Sequence, residues 1–208
     1  MPTDIAGEDA GWRHLPGWLD AVRQRRLLAE IRAVTGAAPL MRPTMPKSGK
    51  PFSVLMTNCG PLGWVSDRDG GYRYQATHPD TGRPWPAIPE LLTEVWREVA
   101  GYAALPQACL INYYAAGSKL GSHRDADEDD AHAPVVSVSL GDDATYHVGG
   151  ARRGDPKQRL VLRSGDVFVL GGVARDFYHG IDGIRTGTSG LREEGGRFCM
   201  TLRRVTRP

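Results

Sequence analysis

Apolar residues along this chain change their spacing near residue 107. Upstream, Leu27, Leu28, Ile31 and Val34 fall at helical intervals, which predicts a helix over 20–34 with Gly36 as its stop. Leu92, Val95, Trp96 and Val99 form a second stripe. It predicts a helix over 89–100, opened by Pro89 and ended by Gly101. Residues 35–52 are rich in Gly, Pro and Lys and read as loop. Residues 53–87 mix turn formers with Trp64, Tyr72, Tyr74 and Trp85, a pattern of short strands and hairpins. Downstream, β-rich runs alternate with turns at 107–114, 134–141, 144–149, 159–163, 166–171 and 196–205. Short strands at such spacing predict a sandwich or barrel of jelly-roll type.

A chain of 208 residues supports one substantial core. Its 40% hydrophobic and 24% charged residues are ordinary for a globular protein. A net charge of +2 and a pI near 8.5 neither demand nor exclude a nucleic-acid partner, because the distribution of charge matters more than its sum. No apolar run is long enough for a bilayer, so no membrane partner is expected. The segment MPTDIAGEDAGW lacks the basic and apolar regions of a signal peptide. Cys59, Cys109 and Cys199 are scattered and include no CxxC pair. A reducing cytoplasm is the expected compartment, and a monomer the default state.

The run GSHRDADEDD at 121–130 raises the first chemical question. In an extended segment His123 and Asp125 point the same way. His179, in RDFYHGI, follows 54 positions after Asp125. Two histidines and one carboxylate leave coordination positions open and suit non-haem Fe(II) oxygen chemistry. The same residues also fit a chance His-x-Asp beside a packed core histidine. In GRFCMTLRRV, a strand puts Arg197, Cys199, Thr201 and Arg203 on one face and Phe198, Met200 and Leu202 on the other. Two arginine forks on a face of small residues suit a dicarboxylate. Two solvent-facing arginines on an edge strand are the alternative. Asn112 and Tyr114, in INYY, share a face and either complete a polar pocket or serve as routine buried hydrogen-bonders.

Taken together, CLINYYAAGSKLGSHRDADE, APVVSVSLG, RLVLRSGDVFVLGG, FYHGI and RFCMTLR resemble the AlkB family of DNA and RNA dealkylases, most of all its bacterial members. MTNCGPLGW and RPWPAIP extend the likeness, which spans residues 53–205. The resemblance implies an α+β protein with a double-stranded β-helix (jelly-roll) core, flanking N-terminal helices and a nucleotide-recognition lid. It implies a helix and loop extension over 1–52, the lid over 53–88, and a helix plus the dioxygenase core over 89–208. The implied cofactors are Fe(II), 2-oxoglutarate and dioxygen, with His123, Asp125 and His179 on the metal. Arg197 and Arg203 would bind 2-oxoglutarate, helped by Asn112 and Tyr114. Trp64 and Tyr72 would belong to the lid, with Tyr72 touching the substrate backbone. Asp127 would contact the damaged base and Arg153 would line the entrance.

The implied reaction is oxidative demethylation of 1-methyladenine and 3-methylcytosine in DNA or RNA with release of formaldehyde, a direct reversal of alkylation damage. The nucleotide would be single-stranded or flipped out. These bases are cationic, so a carboxylate at Asp127 and an aromatic face at Trp64 favour them over undamaged bases. The remaining acids, Glu128 to Asp130, read as a solvated turn before Pro134. Arg152, Arg153, Lys157, Arg159 and Arg163 form a basic stretch suited to phosphates or to a solvated loop.

Three departures from the family pattern stand out. Cys199 replaces an asparagine and makes the co-substrate pocket more apolar. Leu170 replaces a tryptophan, which predicts a roomier substrate pocket. The spacing from Trp64 to Tyr72 is one residue longer. Two rival readings remain: an Fe(II)/2-oxoglutarate hydroxylase acting on a protein or small molecule, and a metal-binding jelly roll that binds nucleic acid without catalysis.

Overall fold

The computed structural model describes residues 5–6 and 11–208. In chain order it holds β1 (Ile5–Ala6), β2 (Trp12–Leu15), α1 (Ala21–Ala37), β3 (Leu55–Cys59), β4 (Gly63–Asp67), β5 (Gly71–Gln75) and α2 (Glu90–Val99). Then come β6 (Ala108–Tyr114), β7 (Leu120–His123), β8 (Val135–Gly141), β9 (Asp143–Val148), β10 (Gln158–Leu162), β11 (Val167–Leu170), a 3-10 turn (Gly172–Asp176), β12 (His179–Arg185) and β13 (Arg197–Arg203). No helix among the described residues is long and apolar enough to cross a membrane.

Two antiparallel sheets build the jelly roll. The larger runs β1-β2-β11-β8-β13-β6-β3, and the smaller runs β10-β9-β12-β7. Strands β4 and β5 form a separate hairpin. Alternation along each strand of the larger sheet sorts side chains into two cores. Phe198, Met200 and Leu202 meet Ile111, Val136 and Val138 beneath Leu27, Ile31, Leu92, Val95 and Trp96 of the helices. On the other face Leu110, Tyr114 and Phe168 meet Tyr146, Val148 and Ile181 of the smaller sheet. The functional groups lie in this second, inter-sheet layer.

Both predicted helices form, with one correction. Asp20 caps α1 by accepting from the Arg23 N–H at 2.8 Å. The helix runs past Gly36 and stops before Pro39, because a residue preceding proline is driven out of the helical region and Ala38 is extended. Gly36 therefore does not end it. Four strands, β1, β2, β7 and β12, fall outside the predicted runs. Each is short, glycine-containing or irregular, so none shows a clean period of two. Strand β2 extends the larger sheet by pairing with β11, Trp12 opposite Leu170.

Candidate metal and co-substrate site

Strands β7 and β12 lie side by side with His123 directly opposite His179. Asp125, two residues beyond β7, turns back toward both. Asp125 Oδ1 lies 3.8 Å from His123 Nε2, and Oδ2 lies 3.8 Å from His179 Nε2. One ligand atom from each of the three residues lies within 4.8 Å of the others. Each histidine donates its Nδ1–H to a backbone carbonyl, Gly121 for His123 and Phe177 for His179, both at 3.0 Å. That fixes the tautomer and leaves each Nε2 bare and inward. Burial, and next the charge of His123, hold His179 down at about 4, so it is unprotonated at neutral pH. Burial pushes the Asp125 carboxyl up, but Arg203, His179 and His123 pull harder, and it lies well below the usual carboxylate range.

Two buried acceptors here lack any partner: Asp125 Oδ2 and Asn112 Oδ1. Buried polar groups are seldom left so. A cation against Asp125 Oδ2 satisfies the first, and the donor set suits Fe(II). The Nε–H of Arg197 and that of Arg203 likewise lack a hydrogen-bond partner, although Arg203 Nε lies 3.4 Å from Glu128 Oε1. A dicarboxylate is the ligand such donors suit.

Except for Arg197, these groups line one cavity of about 710 Å³ between the sheets. Its wall includes Asn112, Tyr114, Cys199, Thr201 and Arg203 on the co-substrate side, with His123, Asp125 and His179 beside them. Trp64, Tyr72, Asp127 and Arg153 stand toward its mouth. Burial pushes the Tyr114 phenol up, so it stays protonated and able to donate. Arg203 donates to Asp125 Oδ1 at 2.8 Å, linking the metal side to the co-substrate side. Arg197 is fully buried and is not part of the cavity wall. Its guanidinium donates to the carbonyls of Asp142 and Leu162, each at 3.1 Å, and to Ser139 Oγ. The predicted phase of β13 is therefore observed, with Arg197, Cys199, Thr201 and Arg203 on the inter-sheet face.

At the mouth, Trp64 donates its indole N–H to Asp127 Oδ2 at 2.8 Å. Tyr72 stacks on the indole, ring centroids 5.5 Å apart and 25° from parallel. Arg153 donates to the Ser122 carbonyl at 2.7 Å and lies 5.0 Å over the Tyr178 ring. Leu170 is not in the cavity wall; it packs beside Trp12 and Phe168, and Phe168 is the residue that lines the cavity. Leu170, the basis for expecting a roomier pocket, therefore does not itself border the cavity.

The acidic run is not a solvated turn. Glu128 and Asp130 are buried, while Asp127 and Asp129 face outward. Glu128 accepts from Arg175 Nη2 at 2.8 Å and from the Tyr74 hydroxyl. Arg175 also donates to the carbonyls of Asp125 and Ala133, at 2.6 and 2.9 Å. Asp130 accepts from the Tyr102 hydroxyl at 2.7 Å. Backbone bonds from Asp129 and Asp130 to the Val205 carbonyl hold the run against the end of β13. Sequence reasoning missed Glu128, Tyr74 and Arg175. One signal was present: Arg175 is the sole Lys or Arg between Arg163 and Arg185.

The 2OG-Fe(II) oxygenase superfamily model matches residues 11–203. An α-ketoglutarate-dependent dioxygenase AlkB homolog of Caulobacter vibrioides is 46% identical over 190 residues, covering 91% of this chain and 86% of that protein. The AlkB dioxygenase of Salmonella typhimurium is 44% identical, covering 97% of each chain. This chain belongs to the AlkB family. The fold agrees: the structure of OsALKBH1 superposes with a TM-score of 0.80 at 28% identity, covering 97% of this chain and all of that one. As an AlkB-family protein the chain is a dioxygenase dependent on Fe(II) and 2-oxoglutarate, and the partnerless groups around Asp125 and Arg203 fit both.

Proposed function

We propose that this chain is an oxidative demethylase of N-alkylated nucleobases, 1-methyladenine and 3-methylcytosine, in DNA or RNA, and that it reverses alkylation damage. The observation that carries the reading is the Trp64–Asp127 pair at the mouth of the iron cavity. Hydroxylases of uncharged targets have no need for an aromatic plate clamped to a carboxylate. A methylated base with a delocalised positive charge suits both partners. The bacterial relatives are named α-ketoglutarate-dependent dioxygenases, and a relative from Arabidopsis thaliana is named a DNA N(6)-methyladenine demethylase, which supports the same reading.

Residue by residue, His123, Asp125 and His179 hold Fe(II). Arg203, Asn112 and Tyr114 hold 2-oxoglutarate from the cavity wall, the guanidinium offsetting carboxylate charge and the amide and phenol hydrogen-bonding to it; Arg197, behind the wall, adds its positive charge and the Nε–H that has no protein partner. Once bound, the metal and 2-oxoglutarate would supply the oxidation of the N-methyl group by dioxygen, one oxygen atom passing to succinate as carbon dioxide is lost and the other to the methyl carbon, which leaves as formaldehyde. The chain supplies position. Asp127 has one oxygen fixed by the indole; the other is free to accept from the exocyclic amine of the cationic base. Trp64, locked by Tyr72 and Asp127, presents an oriented ring. Arg153 takes a phosphate at the entrance, and exposed Arg152 and Lys157 extend that charge along the backbone. The target atom is hidden inside a duplex, so the nucleotide enters single-stranded or flipped out. Residues 53–88 act as the lid, and the protein works as a cytoplasmic monomer.

The test is formaldehyde and succinate release from single-stranded oligonucleotides, each bearing one lesion, with Fe(II) and 2-oxoglutarate. Release with 1-methyladenine, none with unmodified strands and none from Asp125→Ala is the expected result. Succinate formation indifferent to the lesion would overturn the reading.

A further inference from the structure

The smaller sheet carries a second chain of polar side chains that no step above uses; of its members Ser122 alone also borders the cavity. His147 is buried on β9. Its Nδ1 lies 2.8 Å from Asp182 Oδ1, and its Nε2 lies 3.2 Å from Ser122 Oγ. Arg159 donates to the other Asp182 oxygen at 2.9 Å. A neutral imidazole with its proton on Nδ1 satisfies every contact: it donates to Asp182 and accepts from the Ser122 hydroxyl. The neighbours Tyr146, Val148 and Ile181 face the inter-sheet core, so alternation sets His147, Asp182 and Ser122 on the opposite face of this sheet.

The chain crosses a strand. His147 on β9 reaches Ser122 on β7 over β12, which lies between them. It passes at Gly180, where a Cβ would stand 3.0 Å from His147 Cε1 and 2.5 Å from the Leu120 carbonyl oxygen. The lack of a side chain there opens the path.

Strand β7 needs such a tie. It is a four-residue edge strand. Its only registered pairs with β12 are His179 with His123 and Ile181 with Leu120, and the register shifts between them. Yet the site leans on its backbone twice. The Gly121 carbonyl orients His123, and the Ser122 carbonyl holds Arg153. Ser122 sits between these two roles.

We propose that His147, braced by Asp182, is a positioning residue that pins Ser122 and so fixes His123 for the metal and Arg153 for the substrate backbone. The inference rests on His123 being a ligand of iron. Groups that orient metal ligands typically change metal affinity by roughly 10–100-fold when removed.

The test is titration of the metal-free full-length protein with Co(II), followed by its visible absorption, together with thermal melting. Loss of Co(II) binding in His123→Ala establishes the ligand, independently of the clip. His147→Ala should then weaken Co(II) binding by roughly tenfold or more. Ser122→Ala should do the same, and the double variant should lose no more than His147→Ala alone. His147→Gln, whose amide can both donate and accept, should restore much of the affinity even if it melts lower than the parent. Wild-type Co(II) affinity in His147→Ala or in Ser122→Ala overturns the proposal. So does equal loss in His147→Gln and His147→Ala, which marks a packing role. Should His147→Ala fail to fold, the conservative Ser122→Ala decides.

Discussion

Trp64 and Asp127 are 63 positions apart, on a hairpin and on the loop after β7, and they meet through one indole hydrogen bond of 2.8 Å. The contact joins the aromatic plate and the carboxylate into a single recognition surface. It also uses only one carboxylate oxygen.

Asp127→Asn keeps the shape and the indole bond but removes the charge. Activity on 1-methyladenine and 3-methylcytosine should fall by roughly tenfold. Activity on neutral 1-methylguanine or 3-methylthymine should fall less, or rise. Comparing kcat/KM for one cationic and one neutral lesion in both proteins decides the matter. Equal losses would make Asp127 structural.

Arg203 and its neighbour Arg204 should differ sharply. Arg203 is buried against Asp125 and faces the cavity. Arg204 binds the Thr206 and Leu105 carbonyls at 2.7 and 3.2 Å. Arg203→Ala strands a buried carboxylate, a cost of about 3–5 kcal/mol. The KM for 2-oxoglutarate should rise by roughly a hundredfold or more in Arg203→Ala, and by less than about threefold in Arg204→Ala. Matching effects in steady-state kinetics would refute the face assignment of β13.

Arg175 and Glu128 form a buried ion pair, with side chains 6% and 1% exposed. Arg175→Met leaves Glu128 Oε2 without its donor and should cost about 3–5 kcal/mol in urea unfolding. Adding Glu128→Met removes the orphaned charge and should recover part of the loss. A double variant less stable than the single one would show that the pair itself, rather than the unpaired charge, sets the stability.

Burial pulls His147 below the usual histidine value, against the raising pull of Asp182; Lys157 and Arg159 add to the lowering. Below about pH 6.5 the unfolded chain takes up a proton that the folded chain resists. This residue's contribution to stability is therefore intact above that pH and declines as pH falls through and below it. His147→Gln should flatten the decline in a melting-temperature series from pH 8 to 5. A parallel decline in both proteins would assign it to other groups.

The metal triad was legible because its elements are short-range: His-x-Asp on one extended face, and a histidine closing the β-rich DVFVLGGVARDFYH run. The phase of β13 was legible because alternation is a period-two signal with large and small residues on opposite faces. The fate of the acidic run was not. Whether Glu128 is solvated depends on Tyr74 and Arg175, 54 and 47 positions away, and no local pattern encodes that meeting. The same holds for His147, whose partners sit on two other strands. Strands β7 and β12 escaped notice because Gly121, Gly180 and Gly183 blank out the alternation.

Strands β4 and β5 share no ladder with either large sheet. Hydrogen bonds to the hairpin from outside run through Asn58, which brackets the Trp64 backbone at 2.9 and 3.0 Å, and through Thr44, Thr77, Trp85, Glu128 and Asp127, while Val65 packs with Ala38, Met41 and Trp85. Lifting the hairpin would therefore break these side-chain contacts but no ladder hydrogen bond of the jelly roll. Its opening free energy is a local quantity, separable from the cooperative unfolding of the whole chain. Substitutions among Leu27, Ile31, Leu92 and Trp96, which lie in a separate cluster from Val65, should change the second more than the first. Evolution can thus alter the hairpin that carries Trp64 and Tyr72 with little effect on the stability of the scaffold that positions His123, Asp125 and His179.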